Sequence, residues 1–313
     1  MVNNTEIEST INNHPNFLEL EHQPTQENAL PYVKILTDMY DTFSQDDIDM
    51  MEVITANFFR EDTDPHTFID GVGYLSYNLV RAVLNPKIRP TTITTPSGDN
   101  IIGKTFHADC ALFIIEPEGW VMGLNFARVL QRGIPIGKLS ITKNKETLET
   151  QIRNFNLPRN INGCNIVILT PTNGAGSNII CAWNEIKKEY IENDHQQIGN
   201  VCIATIFSSP YGVMRVNNTL KKDISHVTQC TAFLGDHATR QKETIYPAGY
   251  VYPLIGNVNE RLYGVESKKQ RFDNAQKIEE ELGRYYVDFI ANDRRVFSTQ
   301  KDGNGQLISH RYQ

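Results

Sequence analysis

The sequence predicts an α/β protein built on a doubly wound parallel sheet. Continuous apolar runs, CALFII (110–115), CNIVILT (164–170) and VCIATIFS (201–208), recur through the middle of the chain, and segments with helical spacing separate them. Strands that are apolar on both faces and joined by helices belong in a parallel sheet covered on both sides. The composition agrees: of 313 residues 40% are hydrophobic and 21% charged, enough for a sizeable core in one large domain or two small ones.

The elements follow in order. Residues 1–30 are rich in Asn, Glu, Gln and Thr, with few periodic apolar positions to offset the entropy of ordering, and are expected to form a mobile tail. From Pro31 apolar residues recur at helical spacing through YVKILTDMYDTF, SQDDIDMMEVITANFF and DPHTFIDGVGYLSYNLVRAVL. Ser44 ahead of two aspartates, and the pair Asp64-Pro65, are helix-start signals. TTITTPSGDNIIGKTF (91–106) places β-branched residues around a Ser-Gly-Asp turn and reads as a hairpin. The strand at 110–115 is followed by a helix over 120–132, a strand at 136–142, the strand at 164–170, a helix over 178–192, the strand at 201–208, a helix around 211–221 and a strand at 226–234. In such sheets ligands sit beyond the carboxyl ends of the strands, which assigns the loops 115–120, 143–147, 170–177 and 208–212 to one rim. The last segment recurs with Ile278, Leu282, Tyr286 and Ile290 at four-residue intervals, and a helical extension is expected there, packed on the core or on a second subunit.

Charge and cysteine usage narrow the function classes. A net charge of -7 and a pI near 5.7 argue against coating nucleic acid or an anionic membrane, which both need a positive field. No stretch approaches the roughly 18 apolar residues of a membrane span, and the N-terminus lacks a basic and then apolar leader, so a cytoplasmic protein is expected. Cys110, Cys164, Cys181, Cys202 and Cys230 are odd in number, form no CxxC pair and are expected to be free thiols. The histidines form no HxH or HxxxH pair that would suggest zinc.

One loop carries a chemical signal. Thr170-Pro171-Thr172-Asn173-Gly174-Ala175-Gly176-Ser177-Asn178 sets two glycines and several hydroxyls between a buried strand and a helix start. Free amides and the helix dipole there favour an anion, and glycine lets the backbone approach it, although small residues also suit any strand-to-helix turn. The loop is neither a P-loop nor a GxGxxG dinucleotide fingerprint.

Four segments in this order resemble the uracil phosphoribosyltransferase family: KNKETLE (143–149), TPTNGAGSN (170–178), SSPYGV (208–213) and GYVYPLIGNVNERLYG (249–264). The family's corresponding stretches look like RNEETLE, DPMLATGGS, APEG and GYIIPGLGDAGDRLFG. The last is the most specific, retaining Gly249, Tyr250, Pro253, Gly256, Arg261, Leu262 and Gly264 in register, and the resemblance spans roughly residues 65–265. It implies a type I phosphoribosyltransferase fold with N-terminal helices and a C-terminal hood at about 226–265, a dimer or larger homo-oligomer, and attack of a nucleobase nitrogen on C1 of phosphoribosyl diphosphate with magnesium on the diphosphate. It further implies that the loop Thr170, Thr172, Asn173, Gly174, Ala175, Gly176 and Ser177 holds the 5-phosphate. Lys143 stands where an arginine usually meets the diphosphate. Tyr250, Val251, Tyr252, Gly256, Asn257 and Val258 lie in the stretch that reads the base.

The departures cluster at the same rim. Thr170 replaces the aspartate that faces the ribose hydroxyls, Ala175-Gly176-Ser177-Asn178 replaces Thr-Gly-Gly-Ser, and Asn257 replaces the hood aspartate. The diphosphate loop, usually Leu-Arg-Ala-Gly, reads Glu116-Pro117-Glu118-Gly119. Two carboxylates beside a diphosphate cost affinity unless a metal intervenes. Glu116 and Glu118 are therefore candidates for cation binding or acid–base work, with a solvated acidic loop as the plain alternative. Trp120 is placed either to stack on a planar ligand or to pack inside, and residues 235–242 either as a lid or as an exposed turn. The expected function is a diverged enzyme of this type acting on a nucleobase-like or sugar-phosphate-like small molecule by a route other than ordinary uracil salvage. The alternative is a nucleotide- or base-binding regulatory module that has lost the transfer.

Overall fold

A computed structural model describes residues 23–301 and 307–312, apart from residues 40, 85–87, 107–108, 131–133, 145–148, 241–247, 254, 264–276, 279 and 281–293. A short helix α1 (Gln26–Ala29) leads into β1 (Lys34–Ile35). Helix α2 (Gln45–Phe58) starts at Ser44, whose hydroxyl accepts from the Asp47 amide while the Asp47 carboxylate accepts from the Ser44 amide. Helix α3 (Pro65–Leu84) follows Asp64, which accepts from the amides of His66 and Thr67 at 2.9 and 3.1 Å. The predicted hairpin is β2 (Ile88–Thr94) paired antiparallel with β3 (Asn100–Phe106).

The central sheet then builds from β4 (Cys110–Glu116), β5 (Ile136–Lys143), β6 (Thr150–Pro158), β7 (Asn165–Leu169), β9 (Val201–Ser208) and β10 (Val227–Leu234), in the order β1-β10-β9-β7-β4-β5-β6. A two-residue strand, β8 (Thr172–Asn173), pairs with the end of β9. All neighbours from β1 to β5 are parallel. The helices α4 (Trp120–Leu130), α5 (Ser177–Ile186) and α6 (Pro210–Leu220) cross between them. Strand β4 shows why both faces are covered: Cys110, Leu112 and Ile114 pack with α2, α3 and α4, whereas Ala111, Phe113 and Ile115 pack with Ile179 and Trp183 of α5 and Val216 of α6. That period-two split confirms the doubly wound reading of the apolar runs. The five cysteines form no disulfide among the described residues. Among the described residues no helix is long and apolar enough to cross a membrane.

Several boundaries differ from expectation. The tail assigned to residues 1–30 is docked where it is described: Gln23 exchanges hydrogen bonds with the backbone of Ala238, at 2.6 and 2.7 Å, and Gln26 donates to the Leu234 carbonyl at 3.0 Å. Its polar side chains pair with exposed backbone, a source of order that composition does not register. The strand β6 is not expected from the sequence, because TQIRNFNLP mixes charged and apolar residues; it pairs antiparallel with β5. The hood, expected from about residue 226, begins after β10, which belongs to the main sheet. It consists of the ribbon β11 (His237–Ala238) and β12 (Val251–Tyr252) followed by α7 (Val258–Tyr263).

The helical extension expected over 266–313 is corrected in its last part. Residues 294–312 carry a hairpin, β13 (Arg294–Lys301) with β14 (Leu307–Tyr312), which extends the sheet antiparallel from β6. Val296, Phe297, Thr299 and Ile308 are β-formers, and β6 offers an edge to pair with. Most of the periodic stretch before it lies outside the described residues.

Arg261 locks the hood onto the N-terminal helices. Its guanidinium donates to the carbonyls of Phe58, Ile255 (2.9 Å) and Arg60 (2.9 Å) and stands 4.7 Å over the Phe68 ring. Charged hydrogen bonds of this kind are worth about 1.5–3 kcal/mol each when they cannot be replaced by water. Arg261→Met is expected to destabilise the protein by about 2–3 kcal/mol in urea unfolding; an unchanged midpoint contradicts this anchoring role.

Candidate functional site

The end of β5, the loops that follow β4 and β7, and the hood enclose a cleft of about 410 Å³. Its floor is the loop between β7 and α5. Gly176, in the left-handed region at φ 77°, turns the chain into α5, and no side chain caps that helix. The first amides of α5 therefore have no intrahelical acceptor and sit at the positive end of the helix dipole. The loop is held from behind by α6: Ser209 Oγ donates to the Gly174 carbonyl, and Arg215 Nη1 donates to the Ala175 carbonyl at 2.9 Å. From the front it meets the hood, where a Cβ on Gly174 would stand 1.9 Å from the Gly249 carbonyl oxygen. Only glycine permits that approach.

Two cations serve this floor. Arg215 Nη1 also lies 3.1 Å from Ser177 Oγ. Lys143, at the end of β5, donates to the Ala248 carbonyl at 3.4 Å. Burial, and then the Arg215 charge, pull the Lys143 ammonium down to about 8. Among the described residues neither Lys143 nor Arg215 has a carboxylate partner, so two positive groups face each other across a helix start. An anion is the species that relieves this repulsion.

The other wall carries opposite chemistry. Asn259 Nδ2 donates to Glu118 Oε1 at 2.6 Å, and Tyr263 donates its hydroxyl to the Pro117 carbonyl at 2.8 Å, so α7 holds the 116–119 loop. Burial raises the Glu118 carboxyl above its ordinary range. Burial and the nearby Glu118 and Glu116 charges push the Tyr263 phenol up.

The sequence-derived residues divide accordingly. Thr172, Asn173, Gly174, Ala175, Gly176, Ser177, Lys143, Glu118, Tyr250, Val251, Gly256, Asn257 and Val258 line the cleft. Thr170 does not: it is buried at the end of β7, with its hydroxyl 3.4 Å from the Thr172 carbonyl. Glu116 turns towards the sheet, where it accepts from Trp120 Nε1 at 3.1 Å and lies 3.7 Å from Lys138 Nζ. That bond makes Trp120 an interior aromatic rather than a stacking platform. Of the two tyrosines, Tyr250 faces the cleft and Tyr252 faces outward, stacked on His237 at 4.7 Å. Residues 237–238 of the possible lid form the hood ribbon, and 241–247 lie outside the described residues.

Arg215 and Asn259 were missed. Arg215 had a signal: Pro210 starts α6, and Tyr211 and Arg215 then share a helix face, the guanidinium 6.0 Å from the ring. No signal marked Asn259, whose partner is 141 residues away.

Known proteins share this architecture. Residues 52–265 match the family model for uracil phosphoribosyltransferase. The uracil phosphoribosyltransferase of Dictyostelium discoideum is 24% identical over 178 residues, 56% of this chain and 74% of the relative. That of Dictyoglomus turgidum is 24% identical over 206 residues, 65% of this chain and 90% of the relative. A solved Aquifex aeolicus protein superposes with a TM-score of 0.58 at 20% identity, covering 75% of this chain and 99% of that one, which shows a common fold.

A side chain at position 174 is expected to force the floor and hood apart. Gly174→Ala should cost about 1–3 kcal/mol of stability by thermal or urea unfolding; a variant as stable as the parent contradicts the close contact.

Proposed function

Because the chain belongs to the uracil phosphoribosyltransferase family, we propose that it is a diverged phosphoribosyltransferase-like enzyme whose cleft takes a sugar phosphate together with a nucleobase-like group. The observation that carries the reading is the uncapped start of α5 beside Lys143 and Arg215, two half-buried cations without carboxylate partners among the described residues. A phosphate monoester placed there receives backbone amides, the Ser177 hydroxyl and a guanidinium. The base lies against Tyr250, Val251 and Gly256–Val258. In a transfer at such a site the protein acts by positioning the reactants and stabilising developing charge.

Ordinary transfer from phosphoribosyl diphosphate to uracil is not the reaction proposed. Thr170 is buried away from the cleft and Glu118 brings a carboxyl into it, so two groups that would serve the ribose hydroxyls and a diphosphate are gone. Magnesium would find Glu118 as a carboxylate of the cleft. Among the described residues no three His, Cys, Asp or Glu side chains gather as a metal site, so the ion would be held chiefly by ligand phosphate oxygens and water. Assembly as a homodimer or larger homo-oligomer is supported by the β2–β3 hairpin, which exposes Ile93, Ile101 and Ile102. A second reading, a nucleotide- or base-binding module without transfer, draws on the same Glu118, since a buried carboxyl opposes a diphosphate leaving group.

Calorimetric titration with ribose 5-phosphate tests the site. Binding is expected in the parent, with Arg215→Ala weakening it at least about tenfold. Lys143 is charged below about 8 and neutral above it, so affinity should fall as pH rises through that value, and Lys143→Met should flatten the fall. No binding, or binding indifferent to both residues, contradicts the assignment. Product formation from phosphoribosyl diphosphate and a base panel separates enzyme from module.

A further inference from the structure

The contact between Glu118 and Asn259 joins two positions that are small in the family stretches quoted above, Ala in Leu-Arg-Ala-Gly and Gly in GYIIPGLGDAGDRLFG. In this chain both have grown side chains, and the two meet inside the cleft at 2.6 Å. Three neighbouring polar groups are already engaged. The Pro117 carbonyl accepts from Tyr263, Glu116 accepts from Trp120, and Asn257 Oδ1 accepts from the Asn259 amide at 3.1 Å. Asn259 Oδ1, in contrast, is buried with no hydrogen-bond partner among the described residues. The Glu118 carboxyl accepts from Asn259 and from its own backbone amide, whereas a carboxylate offers about four acceptor sites. Among the described residues no cation offsets its burial. The wall of the cleft thus holds two adjacent acceptors, one buried and orphaned and one only partly met, and an unmet buried acceptor costs about 1–3 kcal/mol.

We propose that Glu118 and Asn259 form a subsite for an amino group, so that the ligand is a phosphate monoester carrying an exocyclic amine or an ammonium rather than the imide of uracil. One –NH2 group supplies two donors to two acceptors. An imide edge supplies a single N–H flanked by carbonyls, and sets one of those carbonyl oxygens against an acceptor. This inference rests on the phosphate reading of the α5 end, and the two fail differently.

The test is calorimetric titration with cytidine 5′-monophosphate, uridine 5′-monophosphate and ribose 5-phosphate. The cytidine nucleotide is expected to bind at least about fivefold more tightly than the uridine nucleotide. The paired variant Glu118→Ala/Asn259→Gly should bring the two within about twofold of each other. Glu118→Gln keeps the shape, guards against a folding defect in the paired variant, and should also reduce the ratio. Equal or tighter binding of the uridine nucleotide to the parent, or a ratio that survives Glu118→Gln, overturns the proposal. Absence of ribose 5-phosphate binding overturns the phosphate assignment instead. Cytidine against uridine, without phosphate, then still reads the pair, with the same preference supporting it and no preference overturning it.

Discussion

Everything in the cleft depends on how closely the β7–α5 loop approaches the hood. Gly174 lies against the Gly249 carbonyl with no room for a Cβ, and Gly212 of α6 lies as tightly under the other side, where a Cβ would come within 2.4 Å of the Gly174 carbonyl oxygen. The loop is clamped between two backbones. With its carbonyls taken by Ser209 and Arg215, the orientation of the floor is fixed before any ligand arrives. Preorganised dipoles of this kind cost no rearrangement at the moment of binding. The same clamp ties the loop to the hood and, through Arg261, to the N-terminal helices, so the three parts of the site share one mechanical frame.

Within that frame the charges are sorted rather than neutralised. Lys143 and Arg215 stand together on the loop side, and Glu118 stands with Asn259 on the α7 side. Pairing a cation with the carboxyl would have been the cheaper arrangement for stability, since an unpaired buried charge is costly. Keeping them apart leaves each wall unsatisfied and chemically distinct. Charge complementarity then rests on the ligand.

The sequence made the scaffold legible where burial imposes a period. The alternation of Cys110 to Ile115 between two apolar faces follows from strand geometry, as do the helix starts at Ser44 and Asp64 from unsatisfied amides. The loop 170–178 was legible for the same reason, because glycine positions report backbone approach. What stayed hidden depends on contacts distant in the chain. Strand β6 lies at a half-exposed edge whose pattern is mixed, and the hairpin at 294–312 needs that edge as its partner. Gln23 is ordered by the hood ribbon, not by its neighbours. Glu116 and Glu118 are equivalent in sequence, and only Trp120 and Lys138 on one side and Asn259 on the other separate them.

The central claim is that the floor of the cleft binds a phosphate monoester. The most direct measurement is a crystal structure of the protein with ribose 5-phosphate. The account predicts phosphate oxygens within hydrogen-bond distance of the Gly176 and Ser177 amides and the Arg215 guanidinium, with the sugar directed towards Tyr250. A phosphate bound elsewhere, or at this floor without contact to Arg215 or the α5 amides, would contradict it.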